Sequence, residues 1–537
     1  MYITAVPNRN SPPALLLRET YRQHGKVKNR TLANLSHWHP ARVEALRRAL
    51  RGDFDQAALS DPVVGLVFGL LFALKQIADD LGLTTVLGSS PFGKRALFLV
   101  LARVAHQGSR LSAVRWAQDH AVAEVLGLDP FNEDDLYVAL QELWGRQEKI
   151  QQALYRRYLR RQGQPPRLFL YDVTSTYLEG EGNELAAFGY NRHGKRGKQQ
   201  IVLGLLTDAA GEPLAGRVFE GNTADPTTVS EQIRILQEQF QVKELVFVGD
   251  RGMVKSQGKQ ALAQAGLHYI TALTDPQIRR LLSQGLLQLN LFSEQLCEVE
   301  GAGVRYVLRK NEDEAGRERH RGQDKLAKLE AWLYRHKLQR LVSLKLEGRH
   351  LVRDKHPEVI EKTLELAGCY VVTTNVASPG MSTQQVHDSY LALQKVEQDF
   401  RTMKTGLLEV RPVFVRKKDR TRGHVFCCML ALKLSRQIER RLRAVFGTTD
   451  ADPQALTLPD ALAALSRLCL LEYKIDEKTT VTKLPLPNAN QQQILTALGV
   501  SLPKKVVRHR LQGGANNHLA VNNLPGESRA SCKGRSV

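Results

Sequence analysis

Two short runs constrain this chain more than any other feature in it. Leu168-Phe169-Leu170-Tyr171 leads into Asp172, and Leu245-Val246-Phe247-Val248-Gly249 leads into Asp250. Continuous apolar runs of this length, without polar alternation, are strands covered on both faces, the condition of a central sheet layered with helices. A lone aspartate at a strand end commonly caps a turn or meets an arginine. Two of them, each closing such a strand, lie where an α/β sheet presents its functional edge, with rigid support beneath the side chains.

The surrounding elements predict one mixed sheet. Strands are expected at Leu168–Val173, Ile201–Leu206 and Arg217–Phe219, then a helix opened by Asp225-Pro226. A strand at Leu245–Gly249, a helix at Lys255–Ala265 and a strand at His268–Leu273 follow. The chain divides into a small β-rich unit over 1–55, with strands at Tyr2–Val6 and Ala14–Thr20, and a helical region over 56–162. The first part of the core spans 163–288 and an inserted α+β subdomain 289–368. The second part of the core, 369–446, holds a strand at Tyr370–Thr374 and helices at Thr383–Thr405 and Gly423–Val445. A C-terminal helical segment and a disordered basic tail fill 447–537.

The helix around Glu397 supplies a third carboxylate. At about 100° per residue, Tyr390, Glu397 and Lys404 share one stripe, beside an apolar stripe of Leu393, Val396, Phe400, Met403 and Leu407. Glu397 is thereby set at the margin of a packed face, although the same spacing also suits an ordinary amphipathic helix with solvated charges. Hard oxygen donors on two strands and a helix suit Mg²⁺ or Mn²⁺, and two such ions can clamp the attacking and leaving oxygens of a phosphoryl displacement. No Gly-x-Ser-x-Gly elbow follows these strands and no Walker A sequence is present, which argues against a serine hydrolase and a P-loop nucleotidase.

Charge names the partner class. Across 537 residues, Lys and Arg exceed Asp and Glu by 76 to 55, a net +21, which draws the molecule to polyanions. Hydrophobic residues at 42% exclude a wholly disordered basic protein. Six cysteines without a Cys-x-x-Cys pair signal neither a zinc knuckle nor a disulfide framework. The longest uncharged apolar stretch, Val63–Leu74, falls short of the roughly twenty residues of a membrane span, and the amino terminus lacks a signal core. A protein of a reducing cytosol, not associated with membrane, is expected.

These residues resemble the DDE transposases of bacterial insertion sequences, in the branch whose third acid lies in a Tyr-x₂-Arg-x₃-Glu-x₆-Lys signature. Tyr390, Glu397 and Lys404 match it, and Leu393 stands where the pattern has arginine. Tyr171–Thr176, Gly221-Asn222-Thr223, Gly249–Met253 and Leu408–Val413 extend the likeness from about Leu168 to Leu434. The resemblance implies a ribonuclease-H-like core, interrupted between the second Asp and the Glu, and cutting and joining of DNA with two Mg²⁺ or Mn²⁺ ions held by Asp172, Asp250 and Glu397. Tyr390 and Lys404 would then hold DNA backbone, with Arg401 as substitute for the missing arginine.

Two basic loops extend this expectation: Arg192, Lys195, Arg196 and Lys198 between the first two strands, and Arg416, Lys417 and Lys418 after the acidic helix. The terminal unit and the helical region would read the element's terminal inverted repeats, and a homodimer on double-stranded element and target DNA would be the working form. Two rivals stay open at this stage. One is a two-metal nuclease without strand transfer, and the other a basic DNA-binding protein whose acids are structural.

Overall fold

The computed structural model describes all residues except 9–11, 24–25, 52–61, 181, 191–196, 243–244, 252, 318–319, 322–323, 325–330, 332–334, 336–364, 405–407, 409, 411–414, 449–454, 475–478, 504–507 and 512–537. The highly charged middle of the expected insertion and the expected basic tail thus lie largely outside the described residues. Where the sequence reading cuts the chain into six segments, contacts divide it into two compact units. One comprises Met1–Gly65, Cys469–Leu486 and Pro503–Val537, and the other Leu66–Leu468 with Pro487–Leu502.

The first unit opens with an antiparallel sheet of β1 (Tyr2–Val6), β2 (Ala14–Gln23) and β3 (Lys26–Asn34), in that spatial order. Helix α1 (Pro40–Arg51) follows. β1 and β2 stand where the apolar pattern puts them, but the sequence reading has no β3. All nine of its residues are exposed, so it carries none of the buried alternation by which a strand is recognised. β4 (Val63–Val67) is likewise a strand where a helical region is expected to begin, its short β-branched run matching a strand as well as a buried helix.

In the second unit, helices α2 (Gly69–Leu81), α3 (Leu83–Leu87), α4 (Pro91–Ala105), α5 (Arg110–Gln118), α6 (Val122–Leu126), α7 (Glu133–Gly145) and α8 (Gln147–Gln162) come first. Local chemistry sets their ends. Ser90 accepts a hydrogen bond from Gly93 N with Pro91 in the first turn, Asn132 and Asp135 close a capping box, and left-handed Gly163 ends α8.

Next come β5 (Leu168–Tyr177), β6 (Gln200–Asp208), β7 (Pro213–Glu220), α9 (Asp225–Arg234), β8 (Val246–Gly249), α10 (Ser256–Gln264), β9 (His268–Ala272) and α11 (Asp275–Ser283). β10 (Cys297–Gly301), β11 (Val304–Lys310), β12 (Cys369–Thr374), α12 (Thr383–Leu391), α13 (Leu393–Lys404) and α14 (Lys418–Phe446) complete the core. The eight strands form one sheet ordered β10-β11-β12-β9-β8-β5-β6-β7. β5, β6 and β7 are antiparallel neighbours, while β5, β8 and β9 run parallel. This is the ribonuclease-H-like mixed sheet expected from the sequence. β10 and β11 belong to it as well: they extend its edge through β12, so the strands of the expected insertion continue the core sheet.

The chain closes with α15 (Leu458–Ser466), β13 (Cys469–Lys474), β14 (Thr479–Lys483), α16 (Ala489–Ala497) and β15 (Arg508–Leu511). Here too strands occur where a helical segment is expected, and they assemble with β4 in the order β15-β14-β13-β4.

Helix α14 holds the second unit together. Residues from Val425 to Leu434 are buried on every side, and the same apolar core takes in α2, α4, α7, the sheet and α13. A helix apolar all round needs partners all round, so the N-terminal helices share one core with the sheet. The closest approach is at Gly423, where an added Cβ would lie 1.9 Å from the carbonyl oxygen of Leu140. Gly423→Ala is therefore expected to destabilise the protein by about 1–3 kcal/mol, despite alanine's better helix propensity. Gly145→Ala, at a site with no neighbour in reach, is the control. Chemical denaturation of the two variants checks this, and equal midpoints would refute the close packing.

Candidate active site

Side-chain direction along β5 alternates between two cores. Phe169, Tyr171 and Val173 enter one, whereas Leu170 joins the core that also receives Val396, Phe400 and Met403 of α13. With the period of two along a strand, Asp172 and Thr174 share the Leu170 face. On β8, Val246 and Val248 point to that same core and Phe247 to the opposite one, so Asp250 follows Val248 onto the Asp172 side.

Register brings the two acids level. The parallel pairs run Leu168↔Val246, Phe169↔Phe247, Leu170↔Val248 and Tyr171↔Gly249, and the next residues in step are Asp172 and Asp250. Asp172 is half-buried and Asp250 exposed. Neighbouring like charges disfavour each other, and a cation between them would relieve that cost.

Two contacts lay the helical stripe along this face. The Tyr390 hydroxyl donates to Asp250 Oδ1 at 3.3 Å. Burial, then the negative charge of Asp250, push its phenol above the usual tyrosine range, Arg251 opposes them, and Glu397 adds a smaller upward push through its charge. At the other end, Lys404 Nζ donates to the Thr174 hydroxyl. Glu397 lies between these anchors, exposed, on the stripe it shares with Lys404. Tyr390 stands on a separate helix, because the single helix expected over Thr383–Thr405 is divided at Ala392 into α12 and α13.

The three acids therefore lie on one side of the sheet without forming a closed cluster. Among the described residues, no three His, Cys, Asp or Glu side chains stand together as a ready ligand set. The donor chemistry nevertheless fits a hard divalent cation: one carboxylate on β5, one directly after the adjacent β8, and a third exposed on the helix packed against β5.

The remaining expected contacts distribute unevenly. Leu393 is buried in the core, so that position offers no grip on phosphate, while Arg401 is exposed. Arg192, Lys195 and Arg196 lie outside the described residues, and Lys198 pairs with Glu179 at 3.1 Å. Arg416, Lys417 and Lys418 are exposed at the start of α14. Their neighbours Arg420 and Arg422 instead stack over Tyr137 and Trp144 of α7, so that part of the basic run packs the helices together. His39 Nδ1 accepts a 3.4 Å contact from Ala41 N at the head of α1.

Sequence reasoning missed two supports. Thr174 was accessible to it, being two residues beyond Asp172 and so on the same face. The other is Asp399, almost wholly buried two residues after Glu397, where it meets Arg436 of α14 at 2.6 Å. Burial pushes the Asp399 carboxyl up to about 6, although Arg436 pulls it the other way. Arg436 also reaches Glu439 at 2.6 Å. This pair fixes the rotation of α13 and with it the direction of Glu397.

Comparison with known proteins identifies a family. A family model described as the transposase DDE domain matches residues 163–434, just over half of the chain, and one described as the IS1634 family transposase N-terminal domain matches residues 3–60. The solved piggyBac transposase synaptic complex with hairpin DNA is similar at 10% identity over 69% of each chain, with a TM-score of 0.36. The Mos1 transposase paired-end complex with left transposon end is similar at 14% identity, over 33% of this chain and 57% of that one, with a TM-score of 0.15. No curated protein is similar enough to count as a relative.

Arg436→Met is expected to lose about 3–5 kcal/mol of stability by stranding the Asp399 carboxylate, and Asp399→Asn in the same chain should recover much of that loss. Denaturation of the single and double variants checks this coupling, which additive losses would disprove. With Asp172 on β5, Asp250 directly after the adjacent β8, Glu397 on the helix packed against β5 and a DDE model over residues 163–434, the chain belongs to the DDE transposases.

Proposed function

We propose that this transposase cuts DNA at the ends of an insertion sequence and joins the freed 3′ ends to target DNA, with Asp172, Asp250 and Glu397 holding two divalent ions, Mg²⁺ or Mn²⁺. What supports this reading above all is the placement of Asp172 on β5 and of Asp250 directly after β8, beside the last parallel pair Tyr171↔Gly249, with the helix that carries Glu397 packed against β5. When bound, such ions activate the attacking oxygen and neutralise charge on the leaving one.

The chain's own residues orient the reactants. Asp172 is held by backbone pairing within β5 and Asp250 directly follows β8, and the opposite face of both strands is packed with Phe169, Tyr171 and Phe247, so the supports of the two acids are set before DNA arrives. The Tyr390 hydroxyl steadies Asp250 through a hydrogen bond, and its raised pKa keeps it a donor across the physiological range. Lys404, seated on Thr174 beside Asp172, offers a positive charge to a phosphate at the reacting strand. Arg401 and the exposed Arg416, Lys417 and Lys418 would follow the backbone further out, as would Lys198 with the neighbouring basic loop. Because two ends are processed together, a homodimer assembled on double-stranded DNA is the working form, in the cytoplasm at the nucleoid.

Asp172→Asn tests the assignment. In an assay with a duplex bearing the element's terminal inverted repeat and Mn²⁺, the wild type should yield both cleaved and joined products. The variant should lose at least about a hundredfold in both while its melting temperature stays near that of the wild type. Equal activity of the two proteins would remove Asp172 from the site. Cleavage by the wild type without any joined product would make the protein a nuclease.

A further inference from the structure

The antiparallel hairpin of β2 and β3 has no role in the core. β1 pairs with β2 only as far as Arg18. Beyond it, Glu19–Gln23 and Lys26–Arg30 continue as a two-stranded ribbon, paired from Glu19↔Arg30 to Gln23↔Lys26. From Thr20 onward every described residue of this ribbon is exposed. A sheet segment with neither face covered is a surface awaiting a partner. Its charge specifies which: Arg22, Lys26, Lys28 and Arg30 stand against the lone acid Glu19, which Arg30 already engages at 2.7 Å.

Register sorts the ribbon into two faces. Thr20↔Asn29 and Arg22↔Val27 share one, while Glu19↔Arg30, Tyr21↔Lys28 and Gln23↔Lys26 share the other. The second face is knitted to itself, since Arg30 bonds Glu19 and lies over the Tyr21 ring, and Lys28 donates to Gln23. The first face is different in kind. It offers a guanidinium on Arg22, an amide on Asn29 held in place by the Thr20 hydroxyl at 2.8 Å, and an apolar Val27 that is 62% exposed. Those three chemistries match guanine, adenine and the thymine methyl group in the major groove of B-form DNA, a groove that admits a two-stranded ribbon.

We propose that the β2–β3 ribbon enters the major groove of duplex DNA, reads base edges through Arg22, Asn29 and Val27, and takes phosphates with Lys26 and Lys28. The ribbon supplies sequence selection to the enzyme. This rests on the transposition reading for the identity of the duplex, as the end of the element, but its test does not depend on catalysis.

Binding-site selection from a pool of random-sequence duplexes, with the full-length protein, decides it. The wild type should enrich one motif. Arg22→Ala/Asn29→Ala should lose roughly ten- to a hundredfold in discrimination between that motif and scrambled DNA. Lys26→Ala/Lys28→Ala should weaken binding to all duplexes alike and flatten the salt dependence by about two in the log–log slope. Wild-type discrimination by Arg22→Ala/Asn29→Ala, or no enrichment by the wild type, overturns the proposal. If selection depends on the ribbon but the wild type neither cuts nor joins the selected duplex, the ribbon stands and the transposition reading fails.

Discussion

The parallel pairing of β5 with β8 is the constraint on which the rest depends. Two strands that follow one another directly in a hairpin cannot be parallel, so the chain must travel out through β6, β7 and α9 before it returns beside β5. The result is an offset fixed by backbone hydrogen bonds, and it carries Asp172 and Asp250 to the same height on the same face. A slip of one residue would turn one of the acids to the opposite core, among Phe169, Tyr171 and Phe247.

The third acid needs a different device, because a helix can rotate where a paired strand cannot. Val396, Phe400 and Met403 press α13 onto the sheet, and Asp399 binds it to Arg436 on α14. α14 in turn is clamped by the N-terminal helices, down to the contact of Gly423 with the Leu140 carbonyl. The N-terminal helical region therefore supports, at one remove, the sheet face that carries Asp172, as the packing behind the helix that bears Glu397.

Much of this was legible in the residues. Continuous apolar runs gave away β5 and β8, since burial on both faces leaves no alternation to misread, and a spacing of seven put Glu397 and Lys404 on one stripe. What stayed hidden did so for physical reasons. β3 buries nothing and so has no pattern of burial. The break at Ala392 occurs without proline or glycine, in a residue that still has helical dihedrals, so no helix-stop signal precedes it. The Asp399–Arg436 pair joins residues 37 apart, and its buried aspartate reads in the sequence as one more exposed charge on an amphipathic helix. Of the strands between the second Asp and Glu397 that join the sheet edge, β11 shows as the apolar run Val304–Leu308 while β10 leaves no such run, and their destination at the edge of the core sheet is a matter of long-range pairing that local pattern does not encode.

The sheet of the first unit unites β4, near residue 65, with β13, β14 and β15, which begin at Cys469. During synthesis β4 leaves the ribosome some four hundred residues ahead of its partner, and at ordinary elongation rates of about 5–20 residues per second it waits on the order of half a minute with an open edge. Any product terminated early has that edge permanently bare. A nascent or shortened chain is then exposed to β-type association with its siblings, and a finished sheet marks a chain read through to its last strands.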